Sequence, residues 1–207
     1  DKAFTVLLTD MNEAPTLLNG QNSLSLSIPE GSGAVSIPAT WDRTFGGSNM
    51  ELGIPIKTTD GGYLFVGESK SGISGDKTES SRGKSDFWVV KTDSYANKLW
   101  DKTYGGSGDD YLRSAIPTND GGYLLPGNSD SNPSGEKSQW HRGAQDFWVV
   151  KIDSNGTKIW DKTFGGSGND ICYDVAHTSD GGYLLGGHTD SGISGDKTEN
   201  SRGENDF

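Results

Sequence analysis

The hydrophobic pattern divides the best-defined part of the chain into four strand-like stretches. Phe147–Asp153 opens Phe-Trp-Val-Val without alternation. Neighbouring side chains on a strand point to opposite sides, so an unbroken apolar run predicts a central strand buried on both faces. Lys158–Phe164 is more polar and alternates, as an outer edge strand should. Tyr111–Thr118 and Tyr123–Gly127 are the two shorter strands that come first. Asp120-Gly121-Gly122 between them reads as a hairpin turn, because glycine accepts the positive φ such turns need. Ser154-Asn155-Gly156 gives the same signal between the last two strands.

This four-stranded pattern repeats. Trp41-Asp42-Arg43-Thr44-Phe45-Gly46-Gly47 returns at Trp100–Gly106 and Trp160–Gly166, at spacings of 59 and 60. Asp60-Gly61-Gly62-Tyr63-Leu64 returns at Asp120–Leu124 and Asp180–Leu184. Asp86-Phe87-Trp88-Val89-Val90-Lys91 returns at Asp146–Lys151 and begins a third time at Asp206-Phe207. The expected fold is therefore all-β, built of tandem four-stranded antiparallel units of about 60 residues that start near 41, 100 and 160.

Antiparallel units whose central strands are buried on both faces describe β-propeller-like blades. A blade runs to about 40–45 residues, and removing the polar stretch 69–85 leaves a unit of that size. Two full units and a partial third are too few for a ring of about 4–8 blades, so the array is incomplete in this chain. The Trp-Asp dipeptides open the fourth strand and lack a Gly-His partner, which separates them from the WD40 pattern.

Composition narrows the class. Hydrophobic residues are only 30 % and glycines number 31, a balance that alone points towards disorder. Six Trp, seven Tyr and seven Phe supply the packing area a disordered chain lacks. A net charge of −11 repels phosphate backbones and argues against a nucleic-acid partner. One cysteine, Cys172, excludes an intrachain disulfide. No stretch approaches the ~18 apolar residues of a membrane span. The chain opens in a strand-like run at Asp1 and stops inside a repeat block, so it reads as a fragment with both ends cut.

The blocks Asp-Gly-Gly-Tyr-Leu, Asp-Phe-Trp-Val-Val-Lys and Trp-Asp-Lys-Thr-Phe-Gly-Gly-Ser-Gly resemble the propeller-like repeats of large bacterial surface proteins. These are often exported by the type IX secretion system and include proteins of adhesion and gliding motility. The resemblance covers residues 41–207. Residues 4–15, Phe-Thr-Val-Leu-Leu-Thr-Asp-Met-Asn-Glu-Ala-Pro, resemble the end of a cadherin-like β-sandwich. That second resemblance implies calcium at Asp10, Asn12 and Glu13, although Ala14 replaces an asparagine of the usual pattern. Glu30 resembles the glutamate near the start of a following domain, but 16–40 is too short for one and reads as a linker or short strand pair. The implied location is extracellular, at the bacterial cell surface.

The long loop carries the candidate chemistry. Ser74-Gly75-Asp76-Lys77 recurs as Ser134-Gly135-Glu136-Lys137 and Ser194-Gly195-Asp196-Lys197, and Arg82-Gly83 recurs as Arg142-Gly143 and Arg202-Gly203. Two readings stand. Asp76, Glu136 and Asp196 hold calcium with nearby carbonyls, or the acids and arginines tie the loop down by charge-assisted hydrogen bonds. Ser-x-x-Lys also matches a β-lactamase nucleophile motif, but it lies in glycine-rich loops and its partner motifs are missing. Asp109-Asp110 and Asn169-Asp170 bind a cation or, the favoured reading, cap a turn, and the first unit, with Asn49-Met50, does without both acids.

His141, His177 and His188 share no metal spacing. Cys172 falls in line with Leu52 and Leu112, as a small core residue. Trp88, Trp148, Trp100 and Trp160 read as packing residues. Trp140 stands where the other loops have Ser80 and Asn200 and is the candidate ligand contact. Asn155-Gly156-Thr157 is a glycosylation sequon that coincides with a hairpin turn.

Together these features predict a non-catalytic adhesin or structural scaffold, with calcium as the one cofactor. Other surface proteins, glycans or further copies of the chain are its expected partners. A carbohydrate-binding or carbohydrate-active propeller, and the structural subunit of a surface filament, are the alternatives.

Overall fold

The computed structural model describes residues 43–203, 205 and 206, together with the backbone of two short strands nearer the start. The chain divides into two compact units, Asp1–Thr44 and Phe45–Phe207. In the first, β1 (Leu24–Leu26) pairs antiparallel with β2 (Val35–Ile37), Leu24 opposite Ile37. The cadherin-like stretch 1–15 lies outside the described residues.

The second unit is all-β. Strands β3 (Glu51–Lys57), β4 (Tyr63–Ser69), β5 (Asp86–Thr92) and β6 (Lys98–Tyr104) form an antiparallel sheet in sequence order. The second sheet repeats it with β9 (Tyr123–Ser129), β10 (Asp146–Ile152) and β11 (Lys158–Phe164). Its first strand is split into β7 (Asp110–Leu112) and β8 (Ile116–Pro117), which both pair with β9. β12 (Asp170–His177) and β13 (Tyr183–Thr189) form a third hairpin, and Asp206 makes an isolated antiparallel bridge to Thr189. Among the described residues these sheets do not close into a ring.

The turns follow their local chemistry. Gly61, Gly121 and Gly181 hold φ of +85°, +81° and +87° in the Asp-Gly-Gly turns. The aspartate of each described turn accepts a bond from its own hairpin, as when Gly62 N donates to Asp60 Oδ1 at 3.1 Å. The same carboxylate reaches the end of β5: Lys91 Nζ lies 2.8 Å from Asp60, and Lys151 Nζ 2.9 Å from Asp120. Two of the repeated blocks are thus joined by an ion pair inside each of the first two units. Lys91 and a threonine hydroxyl together hold the Asp60 carboxyl down at about 2.

β5 is buried at every position, and β10 at every position but Phe147. Their alternating side chains serve two different interfaces. Phe87 and Val89 join Trp148, Val150 and Ile152 in one core between the first and second sheets. Val149, with Leu124 and Val175, forms a second core with the third hairpin. Phe87 and Trp148 rings meet at 4.7 Å between centroids. The Phe87 ring also sits over Gly127, where a Cβ would come within 2.7 Å of its Cζ. Phe147 sits in the same way over Gly187, at 2.6 Å.

Trp148 is fully buried at the centre of this stacking. Replacing it by alanine removes the ring that covers Phe87 and leaves a cavity between sheets. Trp148→Ala is expected to lower the unfolding free energy by about 3–5 kcal/mol, measured by denaturant titration. A loss near zero would mean that the sheets are not held through this contact.

Candidate functional site

The rim loop that joins the second and third strands of each unit is built the same way three times. Ser74 and Lys77 exchange backbone bonds across a tight turn, as do Ser134 and Lys137. Gly75, Gly135 and Gly195 between them hold φ of +55°, +55° and +57°, a region that side chains other than glycine enter at a cost. The next residue anchors the turn to the Gly-Gly segment: Asp76, Glu136 and Asp196 donate N–H to the carbonyls of Gly46, Gly105 and Gly165 at 2.8, 3.0 and 2.9 Å.

In the first two units the Ser-x-x-Lys lysine points inward. Lys77 and Lys137 are only 1 % and 2 % exposed. Their ammonium groups lie 5.7 and 5.9 Å from the ring centroids of Trp88 and Trp148 and donate to the hydroxyls of Thr103 and Thr163. Burial lowers both amines, Lys137 to about 8, against the pull of nearby carboxylates. Each tryptophan donates its indole N–H to an aspartate of the fourth strand, Trp88 to Asp101 at 3.2 Å and Trp148 to Asp161 at 3.0 Å. Burial pushes these two carboxyls up, but bonds from a loop N–H, a lysine and the indole outweigh it and hold them below the usual range. The serines of the motif receive backbone N–H groups, as Ser74 Oγ does from Ser48. The motif is a structural clamp on the tryptophan.

A second cluster lies where one sheet meets the next. Asp86 begins β5 and Asp110 begins β7, and both are fully buried. Their carboxylates converge on Gly105: a Cβ there would meet Asp86 Oδ1 at 1.8 Å and Asp110 Oδ2 at 2.9 Å. Asp146 and Asp170 converge in the same way on Gly165. Asp86 Oδ2 accepts from Arg82 N at 2.6 Å, and Asp110 Oδ2 from Gly106 N at 2.7 Å and Ser131 Oγ at 2.9 Å. The Oδ1 atoms of Asp86, Asp110 and Asp146 accept no hydrogen bond among the described residues. Burial, with the charge of Asp86 adding to it, raises the Asp110 carboxyl to about 6.

The register corrects two sequence alignments. The first unit does not do without the Asp110-type acid. Glu51 takes that place, opposite Ser69 as Asp110 is opposite Ser129, and accepts from Ser71 Oγ as Asp110 does from Ser131. Cys172 matches Leu112, since they lie opposite Gly187 and Gly127, but the first-unit residue at that register is Gly53, opposite Gly67, and not Leu52. An extra residue bulges the first strand of the later units between Cys172 and Asp174, and interrupts it between Leu112 and Ile116. Cys172 is itself fully buried, and burial raises its thiol to about 12.

The arginines act across units. Arg82 Nε lies 2.7 Å from Glu136 Oε2, one unit further along, and its Nη1 donates to Thr103 O at 2.9 Å. Arg142 repeats the contact with Asp196 and donates to Thr163 O at 3.1 Å. Spacing alone pairs an arginine equally well with the acid of its own loop or of the next, and packing selects the next. Asp76, the first acid of the series, accepts from Gly46 N at 3.2 Å.

Of the remaining candidates, Trp140 is 68 % exposed on the loop of the second unit. Asp10, Asn12 and Glu13 lie outside the described residues. Among the described residues no three His, Cys, Asp or Glu side chains gather as a metal-binding group. The fold and its loops define an all-β tandem-repeat protein whose recurring charges join neighbouring sheets. Comparison with known family models and with curated proteins finds no match.

The Asp110 carboxyl yields a pH prediction. Its folded value of about 6 lies above the roughly 3.9 of an unfolded chain, so the native state keeps a proton that the unfolded state loses between those values. Stability from this group therefore falls as pH rises through that window and stays low above it. Asp110→Asn keeps an uncharged acceptor for Gly106 and Ser131. It is expected to stabilise the protein at pH 7 by about 1–3 kcal/mol and to flatten the slope between about pH 4 and 6. Denaturant titrations across pH measure both, and an unchanged slope would assign the titration elsewhere.

Proposed function

We propose that the chain is part of a secreted bacterial surface protein of the propeller-like repeat type, a non-catalytic adhesin or structural scaffold. One observation carries this reading. The recurring charged residues of the first two units are engaged in holding loops and neighbouring sheets, as Arg82 is on Glu136 and Lys77 is over Trp88. A rigid array of equivalent units presents its rim loops at regular intervals, and such loops tolerate variation where the scaffold does not. Trp140 is the departure from the repeat. Its exposed ring offers a flat apolar platform, which also favours the second reading, a carbohydrate-binding propeller.

The test is binding of the labelled protein to a panel of glycans and to surface proteins immobilised on beads. The adhesin reading expects retention on at least one of them, with a loss of tenfold or more for Trp140→Ala if the loop makes the contact. Hydrolysis of glycan substrates by the purified protein would overturn the non-catalytic reading.

Calcium belongs to this proposal through Asp10, Asn12 and Glu13, whose roles the cadherin-like resemblance implies. A ligand of the native state raises the melting midpoint with its occupancy. The midpoint is expected to be higher in calcium than in excess chelator, and the Asp10→Asn variant is expected to lose the difference. Equal midpoints for the unaltered chain would remove calcium from the account.

A further inference from the structure

The rim loop of the second unit departs from its neighbours at three consecutive positions. Glu79 and Glu199 of the flanking loops give way to Gln139, Ser80 and Asn200 to Trp140, and Ser81 and Ser201 to His141. In the first unit the glutamate is the charge partner of the fourth strand. Glu79 takes Lys102 Nζ at 2.8 Å, lies 3.7 Å from Arg82 Nη2 and accepts from Thr103 N at 3.0 Å. The second unit keeps both cations, as Lys162 and Arg142, and loses the acid. Gln139 Oε1 still accepts from Thr163 N at 2.8 Å, so the loop stays seated, but its amide offers the lysine no charge. Arg142 is engaged with Asp196, and Lys162 forms no ion pair among the described residues. The pairing is decided inside the unit. Lys102 pairs with Glu79 even with the hairpin of the following unit at its stem, where a Cβ at Gly156 would come within 2.8 Å of Lys102 Cγ.

The aromatic substitution falls beside this unpaired cation. Gln139 and Arg142 fix the loop to the N–H and the carbonyl of Thr163, the carbonyl at 3.1 Å, and Trp140 stands exposed between those two anchors. His141 Nδ1 lies 2.7 Å from Gly143 O. A carbonyl only accepts, so Nδ1 donates and, in the neutral ring, Nε2 is left as an acceptor. A flat ring covers the apolar face of a sugar, the imidazole and amide pair with its hydroxyls, and an ammonium without a partner meets an anionic substituent. A peptide is held instead through main-chain bonds at a strand edge or in a groove. Here the donors and acceptors are side chains set around one ring.

We propose that Gln139, Trp140, His141 and Lys162 form a subsite for a carboxylate-bearing sugar, with the carboxylate on Lys162 and the sugar ring on Trp140. The inference rests on the reading of Trp140 as a ligand contact and names the ligand. The first and third loops, each with its glutamate and without the tryptophan, do not offer this subsite.

The test compares an oligogalacturonide with the neutral galacto-oligosaccharide of the same length, by calorimetric titration of the whole chain. A net charge of −11 disfavours any acidic ligand, so the titrations are run at physiological salt, where that repulsion is screened. The parent is expected to bind the acidic oligosaccharide about tenfold more tightly than the neutral one. Gln139→Glu installs the acid that the first unit carries at this place, and Lys162→Gln removes the cation. Each is expected to abolish the preference, with melting curves unchanged. Trp140→Ala is expected to lose both ligands. Equal affinity of the parent for the two oligosaccharides overturns the inference and leaves the carbohydrate-binding reading standing. Binding of neither, with retention on surface proteins, overturns it and leaves the adhesin reading standing. A preference that survives Gln139→Glu and Lys162→Gln also overturns it, as does an acidic peptide that binds more tightly than the oligogalacturonide.

Discussion

A sheet buried on both faces, with no helix among the described residues to cover it, has to be covered by another sheet. Every other feature of this molecule follows from that requirement. β5 and β10 are apolar at successive positions because one face packs forward and the other packs back. The Phe87 ring rests against Trp148 across the junction, and the missing Cβ of Gly127 lets that ring approach the neighbouring strand. A glycine in a strand interior weakens it locally, and here the loss is offset by the aromatic contact the gap admits.

The polar network is arranged around the same interface. The first two units each bury a lysine over a tryptophan, and paired aspartates stand at the two sheet junctions. Buried charges of this kind are costly unless satisfied, so the network carries more information about register than about net stability. Asp110 marks the place where satisfaction is incomplete: its Oδ1 accepts no hydrogen bond among the described residues, and its carboxyl titrates high. Lys77 and Lys137, which resemble a nucleophile motif when written as letters, are held beyond the reach of solvent. The arginines complete the arrangement by reaching from one unit to the loop of the next.

Much of this was readable before any coordinates. The four-strand unit, its hairpin turns and the doubly buried third strand follow from local pattern, because strand periodicity and glycine turn chemistry act over a few residues. The exposed position of Trp140 was also foreseeable, since a large aromatic replaces Ser80 and Asn200 in a polar loop. Glu51 was missed because aligning the blocks at a constant spacing hides an extra residue in the first strand of the later units. Measured from the preceding Trp block, whose spacing is 59, Glu51 falls in line with Asp110, and the hydrogen-bond register shows that this glutamate does its work.

The sequence by itself determined the repeat, the all-β class, the position of each turn and which residue types recur at each step. The tertiary structure decided which copy of a residue meets which. In a tandem repeat every acid and every arginine has equivalents one period away, so the letters cannot distinguish a contact within a unit from one between units. Arg82 meets Glu136 and not Asp76 because stacking the sheets carries its guanidinium towards the following loop. That choice depends on the direction in which the units pack, a property of the assembled core that no single unit contains.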